Sequence, residues 1–142
     1  MSKLRETAAS LGFFGDDLDP DEISRLLGGI PTVGVRKGGV WKTSRGFEKV
    51  AKSGSWRIEA ERSNPGDLDG QIIDIFARLS SDLTTWRDLA RRFEGRFFCG
   101  LFMENTNDGL RLEAPTIAAI GDRGLALDLD IYAPDDDTAD MP

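Results

Sequence analysis

Arg96-Phe97-Phe98-Cys99-Gly100-Leu101-Phe102-Met103 is the stretch on which the fold turns. Phe97, Cys99, Leu101 and Met103 alternate with Arg96, Phe98, Gly100 and Phe102, so both faces of the segment are mainly apolar. Alternation of period two marks a strand, and a strand that is apolar on both sides belongs in the interior of a sheet. On its N-terminal side, Leu83, Trp86, Leu89, Ala90 and Phe93 form the apolar stripe of a helix. Asp82 is placed to cap that helix, Arg87, Arg91 and Arg92 keep charge outside and toward its negative end, and Gly95 is expected to end it. Before it, Leu68, Ile72, Ile75, Phe76 and Leu79 predict another helix, starting near Asp67. On the C-terminal side, Asn107-Asp108-Gly109 is a hairpin signal, with Leu110 to Glu113 returning beside the first strand. Pro115 then opens a short helix carrying Ile117 and Ile120, closed by Gly121 or Gly124, and Leu125, Leu127, Leu129 and Ile131 alternate as a last strand.

The N-terminal half adds two well-marked strands, a helix and a less regular stretch between them. Thr7, Ala9, Leu11 and Phe13 alternate with the small residues Ala8, Ser10 and Gly12, as in a strand with one flat face. Asp19 and Pro20 start a helix, Asp21 and Glu22 suit its positive end, and Leu18 can staple to Ile23. Its stripe is Ile23, Leu26 and Leu27, and Gly28-Gly29 supplies the left-handed stop. Residues 32–54 have no clean period and predict a short strand or two joined by exposed loops, after which Trp56, Ile58 and Ala60 alternate with charged residues until Asn64-Pro65-Gly66. Short helices among strands of mixed alternation predict an α+β fold: a two-layer sandwich whose mostly antiparallel sheet carries helices packed on it. The order of elements at the two ends is compatible with ferredoxin-like halves, although no residue-level repeat relates them.

At 142 residues the chain is sized for a single domain, drawn here as residues 1–133 with a disordered acidic tail at 134–142. It is 39% hydrophobic and 30% charged, without an apolar run long enough to span a membrane or act as a secretory signal, which predicts a cytoplasmic protein. The lone cysteine, Cys99, excludes an internal disulfide and thiolate-rich zinc sites. With no histidine, Ser-His-Asp and Cys-His catalysis and imidazole metal ligation are also excluded. The net charge of −7 opposes bulk attraction to nucleic acid or anionic lipid.

Several motifs fail on inspection. Asp17-Leu18-Asp19-Pro20-Asp21 has the opening spacing of a calcium loop, but its sixth position is Glu22 and its twelfth is Gly28, where glycine and glutamate are required. Gly34 to Gly39 has the glycine interval of a phosphate loop, yet Val40-Trp41 stands where Lys and Ser or Thr must follow. Cys99, in an apolar strand, reads as an inert core thiol. Asp128 and Asp130 share a strand face, about 7 Å apart, and as paired carboxylates could hold a divalent metal if Glu59 or Glu113 supplied a third ligand. A solvated face accounts for them equally well. The sharpest asymmetry is electrostatic. From Arg36 to Arg57 there are seven bases and one acid, a net of +6, leaving −13 for the rest. Arg36, Lys37, Trp41, Lys42, Arg45, Lys49, Lys52 and Arg57 are therefore the candidate binding residues, with Phe47 nearby, for an acidic protein surface or for phosphate. A solvated loop is the alternative.

Four runs in order, Gly15-Asp16-Asp17-Leu18-Asp19-Pro20-Asp21-Glu22-Ile23, Pro31-Thr32, Gly54-Ser55-Trp56-Arg57-Ile58 and Gly124-Leu125-Ala126-Leu127-Asp128-Leu129-Asp130-Ile131-Tyr132, resemble the bacterial family catalogued as domain of unknown function 4279. That resemblance implies a small, cytoplasmic, bacterial α+β domain and carries over no catalytic residue. The leading expectation is a non-catalytic protein-interaction module without a cofactor, with an immunity or accessory protein as one form. The alternatives are phosphate-ligand or nucleic-acid binding through residues 36–57, and a divalent-metal enzyme using Asp128 and Asp130. Exposed sheet edges also admit a homodimer.

Overall fold

A computed structural model describes residues 3–135. In chain order the elements are β1 (Glu6–Gly15), α1 (Pro20–Leu27), β2 (Val33–Val35), β3 (Val40–Lys42), β4 (Glu48–Val50), β5 (Gly54–Glu59), α2 (Leu68–Ala77), α3 (Leu83–Arg92), β6 (Glu94–Phe102), α4 (Ala114–Asp122) and β7 (Ala126–Tyr132). Five strands form one sheet in the order β2-β5-β1-β6-β7, and β3 pairs with β4 in a separate hairpin. Every pairing is antiparallel except β6 with β7, which the α4 crossover joins in parallel. The fold is the α+β arrangement expected. The two ends are not equivalent halves: β5 lies between β1 and β2, whereas β6 and β7 are direct neighbours. Among the described residues, no helix is long and apolar enough to cross a membrane. Beyond Asp135 the acidic tail lies outside the described residues.

The alternation in β1 divides the sheet into two faces. Thr7, Ala9, Leu11 and Phe13 are buried on the helical side, joined there by Trp56 and Ile58 of β5 and Phe97, Cys99 and Leu101 of β6. The helices supply Ile23 and Leu27, Leu68, Ile72, Ile75 and Phe76, and Trp86 and Leu89 to the same core. Burying one such side chain is worth about 1.5–3 kcal/mol, so this layer is the main source of stability. A polar clamp fixes α2 to β1. The Thr7 hydroxyl donates to Gln71 Oε1 at 2.7 Å and accepts from the Asp67 amide at 2.9 Å, while Gln71 Nε2 donates to the carbonyls of Thr7 and Glu61. The buried side chains of Thr7 and Gln71 are thereby paired, as burial demands.

Caps and stops follow local chemistry. Asp19 accepts from the Asp21 amide at 3.0 Å, and Gly28 ends α1 with φ of 78°. Four sequence expectations require correction. Leu26 is 41% exposed and Ile117 is 57% exposed, because these short helices bury a narrower stripe: Ile23 and Leu27 in α1, Thr116 and Ile120 in α4. Gly95 lies within β6 rather than ending α3; a Cβ there would stand 2.7 Å from the Phe13 ring. Residues 32–54 hold three short strands, β2 to β4, in place of one or two. Finally, Asn107-Asp108-Gly109 makes no hairpin. The Asp108 carboxylate accepts from the Glu104 and Asn105 amides at 2.8 and 2.9 Å, closing a loop, and residues 110–113 lead directly into α4.

Candidate functional site

The helices cover one face of the sheet, and the opposite face is open at its centre. Its floor is made of small residues, Ala8, Ser10 and Gly12 on β1 and Gly100 on β6. Rings lie down over the two glycines: a Cβ on Gly12 would meet the Phe14 ring at 2.7 Å, and one on Gly100 the Phe102 ring at 3.3 Å. Guanidinium groups then sit on the rings. Arg96 lies 5.1 Å from the Phe14 centroid and 5.6 Å from that of Phe98, and Arg5 and Arg62 lie 5.9 and 5.2 Å from that of Phe102. Tyr132 stacks on Phe102 at 4.7 Å with the rings 6° from parallel. A trough of about 300 Å³ crosses this surface between Arg57, Glu59 and Arg62 on one side and Phe98, Phe102 and Tyr132 on the other.

At one end of the open face the β3–β4 hairpin folds over the sheet. It covers Val35 and Ala51, both less than 9% exposed, and leaves a cleft of about 290 Å³ lined by Phe14, Trp41, Lys49, Lys52 and Arg57 with small and apolar neighbours. The lining contains three cations and two aromatic rings, and no carboxylate. Arg57 is set opposite Gly12 on β5 and lies 5.6 Å from the Trp41 centroid. Its Nε is buried without an acceptor among the described residues, and it takes part in no ion pair there. On the hairpin Val40, Phe47 and Val50 are exposed at 61%, 66% and 66%, and Val50 also borders the cleft.

The chain matches, over residues 5–134, the family described as Domain of unknown function (DUF4279). It belongs to that family. No curated protein and no solved structure matches it.

The eight basic and aromatic candidates of this DUF4279 chain separate into two groups. Arg36 pairs with Asp19 at 2.9 Å and Lys37 with Asp16 at 3.2 Å, so both are tied to the start of α1. The Lys37 ammonium, with help from Ser53, holds the Asp16 carboxyl below its ordinary range. Trp41 and Lys49 face each other across the hairpin and, with Lys52 and Arg57, line the cleft. Lys42 lies opposite Glu48, and Arg45 is in the connecting turn, where the Gly46 amide donates to the Thr43 carbonyl at 2.9 Å. Phe14 and Arg96 complete the surface and are absent from the sequence-derived set. Their signal was register, since Arg57 and Arg96 flank the same glycine, Gly12, from opposite strands.

The two aspartates proposed as metal ligands share the open face of β7, as their spacing requires. Asp128 accepts from Arg96 at 2.7 Å, and Asp130 accepts from the Tyr132 hydroxyl at 2.6 Å, which raises the pKa of that phenol. Glu59 is three strands away, about 14 Å at ordinary spacing, and Glu113 precedes α4. No group of three potential ligands converges among the described residues. Cys99 is fully buried, and burial, reinforced by the charge of Asp128, pushes its thiol up to about 12. The native protein should therefore resist iodoacetamide at pH 8 and become alkylated only on unfolding; rapid native labelling would contradict this burial. Because the folded thiol titrates above its ordinary value of 9.0, Cys99 contributes stability that declines as pH rises from about 9 toward 12.

Proposed function

We propose that this protein is a non-catalytic binding module that grips an acidic segment of a partner protein with the β3–β4 hairpin and the cleft beneath it. The observation that carries this reading is the cleft lining, in which Lys49, Lys52 and Arg57 stand with Trp41 and Phe14 and without a carboxylate, in a chain of net charge −7. The exposed Val40, Phe47 and Val50 add apolar contact area on the same hairpin. A polynucleotide fits less well. Beyond the cleft it would meet Glu59, Asp128 and Asp130, and Phe14 and Phe102, whose faces bases would need for stacking, already carry guanidinium groups. An immunity or accessory protein is one form such a module takes, although the cleft favours an acidic partner over a basic toxic enzyme.

Photo-crosslinking tests this. A benzophenone amino acid in place of Phe47 should yield one discrete protein adduct in a lysate of the source organism, whereas the same probe in place of Ile73 on α2 should not. The adduct should disappear in the Arg57→Glu background and weaken as salt is raised. Equal labelling from both positions would overturn the reading. So would loss of the adduct to competing mononucleotide or inorganic phosphate, which would assign the cleft to a phosphate ligand.

A further inference from the structure

The sheet ends on β7, whose seven residues pair with β6 on one side and with no other strand among the described residues. That leaves an outer edge about 23 Å long with unpaired backbone donors and acceptors. The helical layer does not reach its end: α4 has nine residues and is about 13 Å long. Leu127 packs against the core, but Leu129 and Ile131, on the same side of the strand, are 47% and 60% exposed. The other side carries Asp128, Asp130 and Tyr132. This edge thus presents an apolar row on one face and free hydrogen-bonding groups beside it. On the other face Asp128 is already paired with Arg96, while Asp130, which accepts only from the Tyr132 hydroxyl, keeps its charge without a basic partner among the described residues.

A second copy of the chain fits poorly in the registers with the fullest overlap: antiparallel pairing of two β7 strands centred on Asp128, Leu129 or Asp130 sets aspartate opposite aspartate, and like charges directly opposite destabilise a pair. We propose that the free edge of β7 is a strand-addition site for a partner polypeptide in which apolar and basic residues alternate. The apolar residues would extend the row of Leu129 and Ile131, and a basic one would lie beside Asp130, the carboxylate of this strand that no cation pairs among the described residues. This surface is at the opposite edge of the sheet from the hairpin cleft, and the proposal stands independently of the function assigned to that cleft.

The experiment is a fluorescence-anisotropy titration of the full chain with three labelled octapeptides: alternating Val-Lys, alternating Val-Glu, and four valines followed by four lysines. The alternating Val-Lys peptide should bind, and the other two should bind at least about tenfold more weakly, because they reverse the cross-strand charge pairs or lose the alternation. Asp130→Lys should reverse the preference between the Lys and Glu peptides, Asp130→Asn should reduce it, and Arg57→Glu should leave it unchanged. Amide resonances of residues 126–132 should shift on binding, and melting curves of the variants would verify folding. Equal binding of the alternating and block Lys peptides, a preference unaffected by Asp130→Lys, or no binding of the Val-Lys peptide would overturn the proposal.

Discussion

Trp86→Ala should lower the unfolding free energy by about 3–5 kcal/mol, the range for deleting a buried tryptophan. Trp86 is fully buried, and its position explains why the loss would be at the upper end. Its ring meets Phe76 edge-on at 5.6 Å and lies 6.2 Å from Phe13, so it joins α2, α3 and the central strand. Arg123 lies 5.3 Å from its centroid on the way out to solvent, and Nε1 donates to the Ser80 carbonyl at 2.6 Å. Deletion would leave a void under three elements, an unpaired carbonyl and a half-buried guanidinium with one ring fewer. Domains are stable by only about 5–15 kcal/mol, so urea denaturation should show a variant near the limit of folding. Trp86→Phe keeps most of the packing and should cost about half as much. A loss below about 1 kcal/mol for the alanine variant would show that the layers are not joined through this residue.

Gly54→Ala should also destabilise, by about 1–3 kcal/mol as overpacked cores do, although glycine-to-alanine changes in unstrained positions usually stabilise. Gly54 faces Gly15 across the β1–β5 pair. A Cβ there would lie 2.6 Å from the Gly15 carbonyl oxygen and 3.0 Å from that of Leu18, both backbone atoms that no rotamer change can move. Relief would require β5 to separate from β1 at the end where Ser55 and Arg57 form the cleft. Gly28→Ala is the useful contrast. Nothing lies within 4 Å of its Cβ, so only the left-handed φ of 78° is penalised, at about 1–2 kcal/mol. Thermal melts of the pair would separate the mechanisms, and a Gly54→Ala protein as stable as the parent would refute the close approach.

The features legible in the sequence are those set by neighbours along the chain. Asp19, Pro20 and Gly28 mark α1 to the residue because capping and left-handed turns are local. The same logic misplaced Asn107-Asp108-Gly109, since the Asp108 carboxylate could satisfy nearby amides without a returning strand. Gly95 read as a helix stop because its actual constraint, the Phe13 ring, comes from a strand 82 positions earlier. The candidate site divides in the same way. The charge run identified Trp41, Lys49, Lys52 and Arg57 in the cleft, but not that Arg36 and Lys37 would be neutralised by Asp19 and Asp16. Phe14 and Arg96 reach the surface through β1 and β6, and only the sheet order places them there.

The central position of β1 has a consequence for the newly made chain. Its two neighbours are encoded late: β5 ends at Glu59 and β6 at Phe102. During synthesis the apolar segment around Leu11 and Phe13 therefore waits for one partner, and its second edge stays bare while some forty further residues are added. Such unpaired edges are where nascent chains adhere to one another. Ribosomal pausing between β5 and β6 would prolong that vulnerable interval, making soluble yield sensitive to elongation speed and to chaperones that shield the emerging strand.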